Sequence, residues 1–167
     1  MKILLIKFFI VFVFAIFNVL TDLFKNKVYN YSNLLLAVIA LILNYDNLLS
    51  SIAGGLGGFI IMYAFWLTGK LGGGDVKFIS AIGFMFGVKF VLWCILFSFA
   101  CGVFWSLFFA CLRGYLFQML KNIYESIITK TLVFSTPRQN ENKKLYPFTL
   151  SIFSGVIITF FYLNKLF

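Results

Sequence analysis

Long apolar segments separated by short polar loops follow one another along the whole chain, and this pattern decides what the chain can fold into. Hydrophobic residues make up 62% of its 167 residues, and only 11% are charged, which is far from the usage of soluble domains. A soluble domain of this size could not cover so much apolar surface. The sequence therefore predicts an all-α, polytopic membrane protein in which residues 1–167 form a single integral-membrane domain.

Six apolar segments are candidate transmembrane helices. They span residues 3–21, 31–43, 48–68, 76–88, 90–112 and 147–163. The second and fourth segments are shorter than the ~20 residues that a perpendicular span needs, and local thinning of the bilayer or flanking residues can make up the difference. The first segment has Lys2 before it and Lys7 near its start, and it has no small-x-small cleavage site. We therefore expect it to be a retained span and not a cleaved signal peptide.

The basic residues indicate an orientation for these helices. If the amino terminus lies outside, only four of the 14 lysines and arginines remain on the outer side: Lys2, Lys7, Lys89 and Lys165. The others then lie at the cytoplasmic face, as the positive-inside rule requires. Because they lie in loops and not on a polar face beside stacking aromatics, the net charge of +9 does not indicate nucleic-acid binding.

The longest polar stretch, residues 113–146, is predicted to begin with an amphipathic helix in the cytoplasmic interface. Its apolar residues recur at helical spacing: Leu116, Leu120, Ile123 and Ile127. Polar residues fall mostly between them, as in interfacial helices. Beyond Lys130 a solvated loop fits the sequence equally well.

Two aspartates, Asp22 and Asp75, are expected at the cytoplasmic edges of apolar segments. The chain has five acidic residues, and a carboxylate at membrane depth is by default a functional-site hypothesis. If the two converge, they cannot both ionise easily, and the pair holds one proton. The ionised carboxylate can take a proton from a water that attacks a peptide carbonyl. The protonated one can donate to the oxyanion or to the leaving amine.

The expected helix ends separate these two roles. Asp22 falls near the carboxyl end of the first helix, where the helix dipole disfavours a negative charge. Asp75 falls at the amino end of the fourth helix, where the dipole favours one. We therefore expect Asp22 to be the acid and Asp75 the base.

The segment around Asp75 reads Gly-Gly-Gly-Asp-Val-Lys over residues 72–77. Glycine at Gly72 and Gly74 permits a positive φ and a close backbone approach, so an extended substrate could lie against this loop. Two simpler interpretations stay open at this point. The glycines can be a flexible connector, and Asp75 can be the N-cap of the fourth helix.

Asp22 also has a simpler interpretation, as a juxtamembrane loop charge that faces Lys25.

In the third segment, Gly54 and Gly58 form a GxxxG pair, a spacing that lets two membrane helices approach closely. We interpret these two glycines as packing residues without a chemical role.

Metal sites and cofactors are not expected. The chain has no histidine, which removes histidine-based acid/base chemistry and most zinc sites. Cys94, Cys101 and Cys111 lie in one apolar segment without a CxxC pair, and we expect them to be small buried hydrophobic residues.

The glycine–aspartate segment resembles the GxGD motif of the type IV prepilin peptidases, in its extended form GxGDxK. Residues 22–30, Asp-Leu-Phe-Lys-Asn-Lys-Val-Tyr-Asn, are similar to the family's D-x-x-x-x-x-[IV]-P-N stretch, with Tyr29 in place of proline. Tyr146-Pro147-Phe148 resembles a proline-containing pair near the family's last span. The motifs follow the family's order over nearly the whole chain.

The resemblance implies a six-helix aspartyl endopeptidase of the bacterial inner membrane that cuts the basic leader from prepilin-like subunits at the cytoplasmic face. It makes Asp22 and Asp75 the catalytic pair, and Gly72, Gly74 and Lys77 motif residues of the substrate loop. The implied partners are a prepilin-like membrane protein and the lipid bilayer.

Larger members of the family carry a cytoplasmic insertion, often with paired CxxC motifs, and also N-methylate the product. This chain resembles the short, peptidase-only form of tight-adherence and Flp-type pilus systems, so we expect no methyltransferase activity. Two alternatives to a peptidase remain open. One is a non-catalytic membrane assembly or transport protein that uses the aspartates as ion or proton sites, and the other is an inactive relative that binds leaders without cutting them.

Overall fold

The computed structural model describes residues 2–25, 27–69, 71–112 and 148–166, and these residues form six α-helices. The helices are α1 (Lys2–Lys25), α2 (Asn30–Leu43), α3 (Leu48–Trp66), α4 (Gly73–Phe86), α5 (Val88–Leu112) and α6 (Phe148–Leu166). A short 3-10 turn, Tyr45–Asn47, joins α2 to α3. The predicted all-α class is confirmed. The predicted interfacial helix within residues 113–146 lies outside the described residues.

Within the described residues, four helical stretches are long and apolar enough to cross a membrane. They are Ile3–Lys25, Tyr45–Trp66, Val88–Leu112 and Phe148–Lys165. Helices α2 and α4 have 14 residues each, which corresponds to a length of only ~21 Å against a hydrocarbon core of ~30 Å. The membrane class is supported by the four long helices, whereas the count of six spans stays a prediction.

The chain divides into two compact units, residues 1–102 with 147–167 and residues 103–146. The first unit holds α1 to α4, most of α5, and α6. Its centre is α4, which packs against α1, α2, α3 and α6 and buries nine of its 14 residues. This central position explains why most of this short helix is buried.

Helices α3 and α4 approach each other so closely that their backbones touch. A Cβ atom on Gly54 would lie 2.6 Å from the Gly87 Cα, and it would also collide with the Gly83 carbonyl oxygen. A Cβ on Gly58 would lie 2.9 Å from a methyl group of Val91. The predicted packing role is therefore confirmed at Gly54, whose nearest neighbours are backbone atoms. Gly58 packs mainly against the side chain of Val91 on α5, and both contacts fit the close approach that this spacing allows.

The carboxyl end of α4 is held by side chains that bind its last carbonyl groups. The Asn44 amide donates hydrogen bonds of 3.0 Å to the carbonyl oxygens of both Phe84 and Met85. Its own oxygen accepts a 2.6 Å hydrogen bond from Lys7 Nζ. These contacts satisfy carbonyl groups that a helix end otherwise leaves unpaired.

The three cysteines lie on α5 at different depths. Cys94 is buried, Cys101 is half-buried and Cys111 is exposed. The prediction of a buried hydrophobic role is therefore wrong for Cys111.

Candidate active site

Asp22 lies in the last turn of α1 and is only 1% exposed. The hydroxyl group of Thr149, at the start of α6, donates a 3.0 Å hydrogen bond to Asp22 Oδ2. Lys25, by contrast, is exposed and donates to the Tyr29 hydroxyl at 3.2 Å. Because Asp22 is buried and helical, the interpretation of this residue as a juxtamembrane loop charge is wrong.

Asp75 lies in the first turn of α4 and is also 1% exposed. The N-cap of this helix is Gly72, with an extended backbone, and the amide of Asp75 donates to the Gly72 carbonyl oxygen at 3.1 Å. Two structural interpretations are thus wrong, because Asp75 is not the N-cap and Gly73 and Gly74 are helical. The amino end of a helix favours a carboxylate at this position.

Among the glycines before Asp75, Gly74 is needed for space and not for an unusual backbone. Gly72 has a φ of −75°, and within the described residues the positive-φ glycines are Gly69 and Gly87. Positions 72 and 74 therefore do not adopt the positive φ that glycine permits. The expected close approach is found at Gly74, where a Cβ would lie 2.6 Å from the Cβ of Val28. The two motif segments pack directly on each other at this point.

A buried polar network connects the helices that carry the two aspartates. Asn18 Nδ2 donates to Asn33 Oδ1 at 2.9 Å, and Asn33 Nδ2 donates to the Gly74 carbonyl oxygen at 3.1 Å. Asn18 precedes Asp22 by one helical turn, and Gly74 directly precedes Asp75. Helices α1, α4 and α6 also contact one another in pairs. Both aspartates therefore lie at one end of the first unit, which we call the aspartate end.

Lys77 forms a further contact between the two motif segments. Its Nζ donates a 3.0 Å hydrogen bond to Asn30 Oδ1 at the start of α2, and it is exposed. The two residues line a cleft of about 490 Å³ beside α2 and α4, together with Asn33 and Ser80. Lys77 thus joins α4 to α2 at the mouth of a partly polar cleft.

Three residues of this site were not found from the sequence: Asn18, Asn33 and Thr149. Asn18 had a detectable signal, because it is a polar residue inside an apolar helix, four residues before Asp22 and so on the same face. Thr149 directly follows the Tyr146-Pro147-Phe148 motif, but its partner is 127 residues away. No local pattern indicates such a pair.

The arrangement is suited to proton transfer by carboxyl groups. A carboxylate taken out of water is strongly disfavoured unless it is hydrogen-bonded or becomes neutral. Asp22 has such a hydrogen bond from Thr149, and both carboxyl groups lie at one end of an apolar helical unit, where they could take part in proton transfer. In the described ranges, no group of three or more His, Cys, Asp or Glu side chains could hold a metal ion.

Comparison with known families gives a match over residues 9–107 to the type IV leader peptidase family. This range contains both aspartates, the glycines before Asp75, and Lys77. No curated protein and no solved structure matches the chain.

Proposed function

Because the chain belongs to the type IV leader peptidase family, we propose that it is a membrane aspartyl endopeptidase that removes the leader peptide of prepilin-like precursors. One observation carries the aspartyl mechanism. Asp22 and Asp75 are each 1% exposed and lie at the aspartate end of the first unit, on two helices that contact each other. Buried carboxyl groups are rare in apolar helices unless they have a functional role.

In the proposed reaction, the ionised member of the pair accepts a proton from a water molecule. The water oxygen then bonds to the carbonyl carbon of the leader's scissile peptide. The protonated member donates its proton to the leaving amine when the C–N bond breaks. Asp75 at the amino end of α4 is the base and Asp22 at the carboxyl end of α1 is the acid, because the helix dipoles favour this assignment. The reaction requires two carboxyl groups and water.

The finer features of the proposal follow the family motifs. The substrate is a prepilin-like membrane protein of a pilus or secretion system, and the site faces the cytoplasm from the bacterial inner membrane. Gly74 keeps the Asp75 turn close to Val28, and Lys77 fixes α4 to α2 through Asn30. These contacts hold the segment against which the leader would lie.

Cleavage of a prepilin by the purified protein tests the proposal. The full chain in detergent is incubated with a candidate prepilin, and the products are identified by mass spectrometry. A new amino terminus between the basic leader and the apolar segment is expected. An intact precursor, from a substrate that a known leader peptidase cleaves under the same conditions, would contradict the proposed activity.

Replacement of Thr149 by valine is expected to weaken catalysis while the protein stays folded. The substitution keeps the shape of the side chain and removes the hydrogen bond to Asp22 Oδ2. The loss leaves a buried acceptor oxygen without this hydrogen bond, which costs about 1–3 kcal/mol. We therefore expect a loss in kcat/KM of roughly 10- to 100-fold. The measurement is the steady-state rate of leader cleavage.

Thr159→Val is the matched control for this prediction. Thr159 is on the same helix and equally buried, but its hydroxyl group donates to the Gly155 carbonyl oxygen of its own helix. It is expected to keep the wild-type rate. Equal rates for Thr149→Val and the wild type would show that the Asp22 contact does not affect the reaction.

The proposed orientation is tested by cysteine labelling in intact cells. The three native cysteines are first replaced by alanine. Lys27→Cys then probes the aspartate end, and Asp46→Cys probes the 3-10 turn before α3; both positions are exposed. An impermeant thiol reagent is expected to label position 46 and to spare position 27. The reverse pattern would place both aspartates on the outer face.

A further inference from the structure

The buried amides between α1 and α4 have no chemical role in the proposed reaction. Asn18 is 0% exposed and Asn33 is 2% exposed. Their side chains bind each other at 2.9 Å, and Asn33 binds the Gly74 carbonyl oxygen at 3.1 Å. Asn18 also accepts a 2.8 Å hydrogen bond from the Ser32 hydroxyl group. Buried amides in an apolar interior are disfavoured unless they are hydrogen-bonded, so their presence requires a physical explanation.

The location of the two ends of this network gives that explanation. Asn18 precedes Asp22 by four residues, so the two side chains lie on the same face of α1, one turn apart. The Gly74 carbonyl group belongs to the peptide that joins Gly74 to Asp75. The network therefore runs from the face of α1 that carries Asp22 to the peptide bond that precedes Asp75.

Hydrogen bonds of this kind fix geometry more strictly than apolar packing does. Leu and Ile side chains tolerate small rotations of one helix against another, whereas an amide pair with a carbonyl acceptor requires defined distances and angles. A rotation of α1 would break the contact between Asn18 and Asn33. A displacement of the first turn of α4 would break the contact between Asn33 and Gly74.

We propose that Asn33, supported by Asn18, is a positioning residue that sets the relative placement of Asp22 and Asp75. This inference rests on the proposed peptidase function and goes beyond it, because the proposed proton transfers give the amide network no part. It acts through the peptide before Asp75 and through the face of α1. A misplacement of about 1 Å between reacting groups can lower a rate by about 100-fold.

The structure supplies a matched control at the other end of α4. Asn44, like Asn33, donates its side-chain amide to carbonyl groups of α4, at Phe84 and Met85. Both asparagines are replaced by leucine, which has a similar size. A purely structural role predicts similar consequences for the two variants. A positioning role predicts that only Asn33→Leu changes the chemical step.

The experiment measures kcat, KM and thermal stability of the purified full chain on a prepilin substrate. Asn33→Leu is expected to lower kcat by about 10- to 100-fold and to leave KM within about twofold of the wild type. Asn44→Leu is expected to keep kcat and to lower only the melting temperature. Because Asn18 acts through Asn33, the double variant Asn18→Leu/Asn33→Leu is expected to have the kcat of Asn33→Leu alone.

A second variant keeps the test decisive if Asn33→Leu does not fold. Asn33→Ser keeps a hydroxyl group that is too short to reach both Asn18 and Gly74, and it is expected to show the same loss in kcat. An unchanged kcat in a folded Asn33 variant, or an equal loss in Asn44→Leu, would overturn the inference. Asp22→Asn and Asp75→Asn are measured in parallel. If they retain cleavage, the aspartyl mechanism itself fails, whatever the result at Asn33.

Discussion

Asp22→Asn and Asp75→Asn are each expected to abolish leader cleavage and to leave membrane insertion intact. Asparagine has the shape of aspartate but can neither ionise nor donate a carboxyl proton. Because the proposed reaction needs one acid and one base, either loss removes an entire step. General acid–base groups contribute about 10²–10⁴-fold to a rate. The measurement is the fraction of prepilin processed when each variant is expressed together with the substrate.

Asp46→Asn is the matched control for both aspartate variants. Asp46 carries the same carboxyl group but is exposed in the 3-10 turn before α3, and it is expected to process the substrate at the wild-type rate. Immunoblots of the membrane fraction would show that all three variants insert equally. Wild-type processing by either Asp22→Asn or Asp75→Asn would refute the aspartyl mechanism.

Gly54→Val is expected to destabilise the protein strongly by separating α3 from α4. A side chain at this position collides with the backbone of Gly83 and Gly87, and a backbone cannot move aside as a flexible side chain does. Overpacking of a core typically costs about 1–3 kcal/mol, and we expect the upper end of this range or more. The measurement is the thermal unfolding of the protein in detergent, monitored by circular dichroism.

Gly57→Val tests whether this effect is specific to the helix contact. Gly57 lies on the same helix, but a Cβ atom there meets no other atom within 4 Å. Gly57→Val makes the same change in side-chain size and helix propensity as Gly54→Val. It is expected to change the free energy of unfolding by less than about 0.5 kcal/mol. Equal melting temperatures for the two variants would contradict the close packing of α3 on α4.

The helices and the position of both aspartates could be predicted from the sequence because the signals are local. Runs of apolar residues delimit the helices to within a few residues, and Asp22 and Asp75 lie at the predicted ends of α1 and α4. The number of spans could not be settled in the same way. Helices α2 and α4 are short, and whether such a helix crosses the bilayer depends on its neighbours and on the local membrane thickness.

The surroundings of the aspartates could not be predicted because they depend on tertiary contacts. The sequence of three glycines permits both a positive φ and a tight approach, and only the position of Val28 shows that the second applies at Gly74. Asn18 and Asn33 could be noticed as polar residues in apolar helices, but their pairing depends on the rotation of α1 against α2. Both aspartates are buried, and their catalytic role stays a prediction.

The contact between Thr149 and Asp22 has a consequence for the order in which the protein is made. The two residues are 127 positions apart in the chain, and chains fold from the amino terminus during synthesis. The ribosome completes α1 to α4, and with them both aspartates, well before it reaches α6. The hydrogen bond to Asp22 can form only after the last helix has joined the others. Chains that terminate before Thr149 would therefore contain both aspartates and lack the hydroxyl group that holds Asp22.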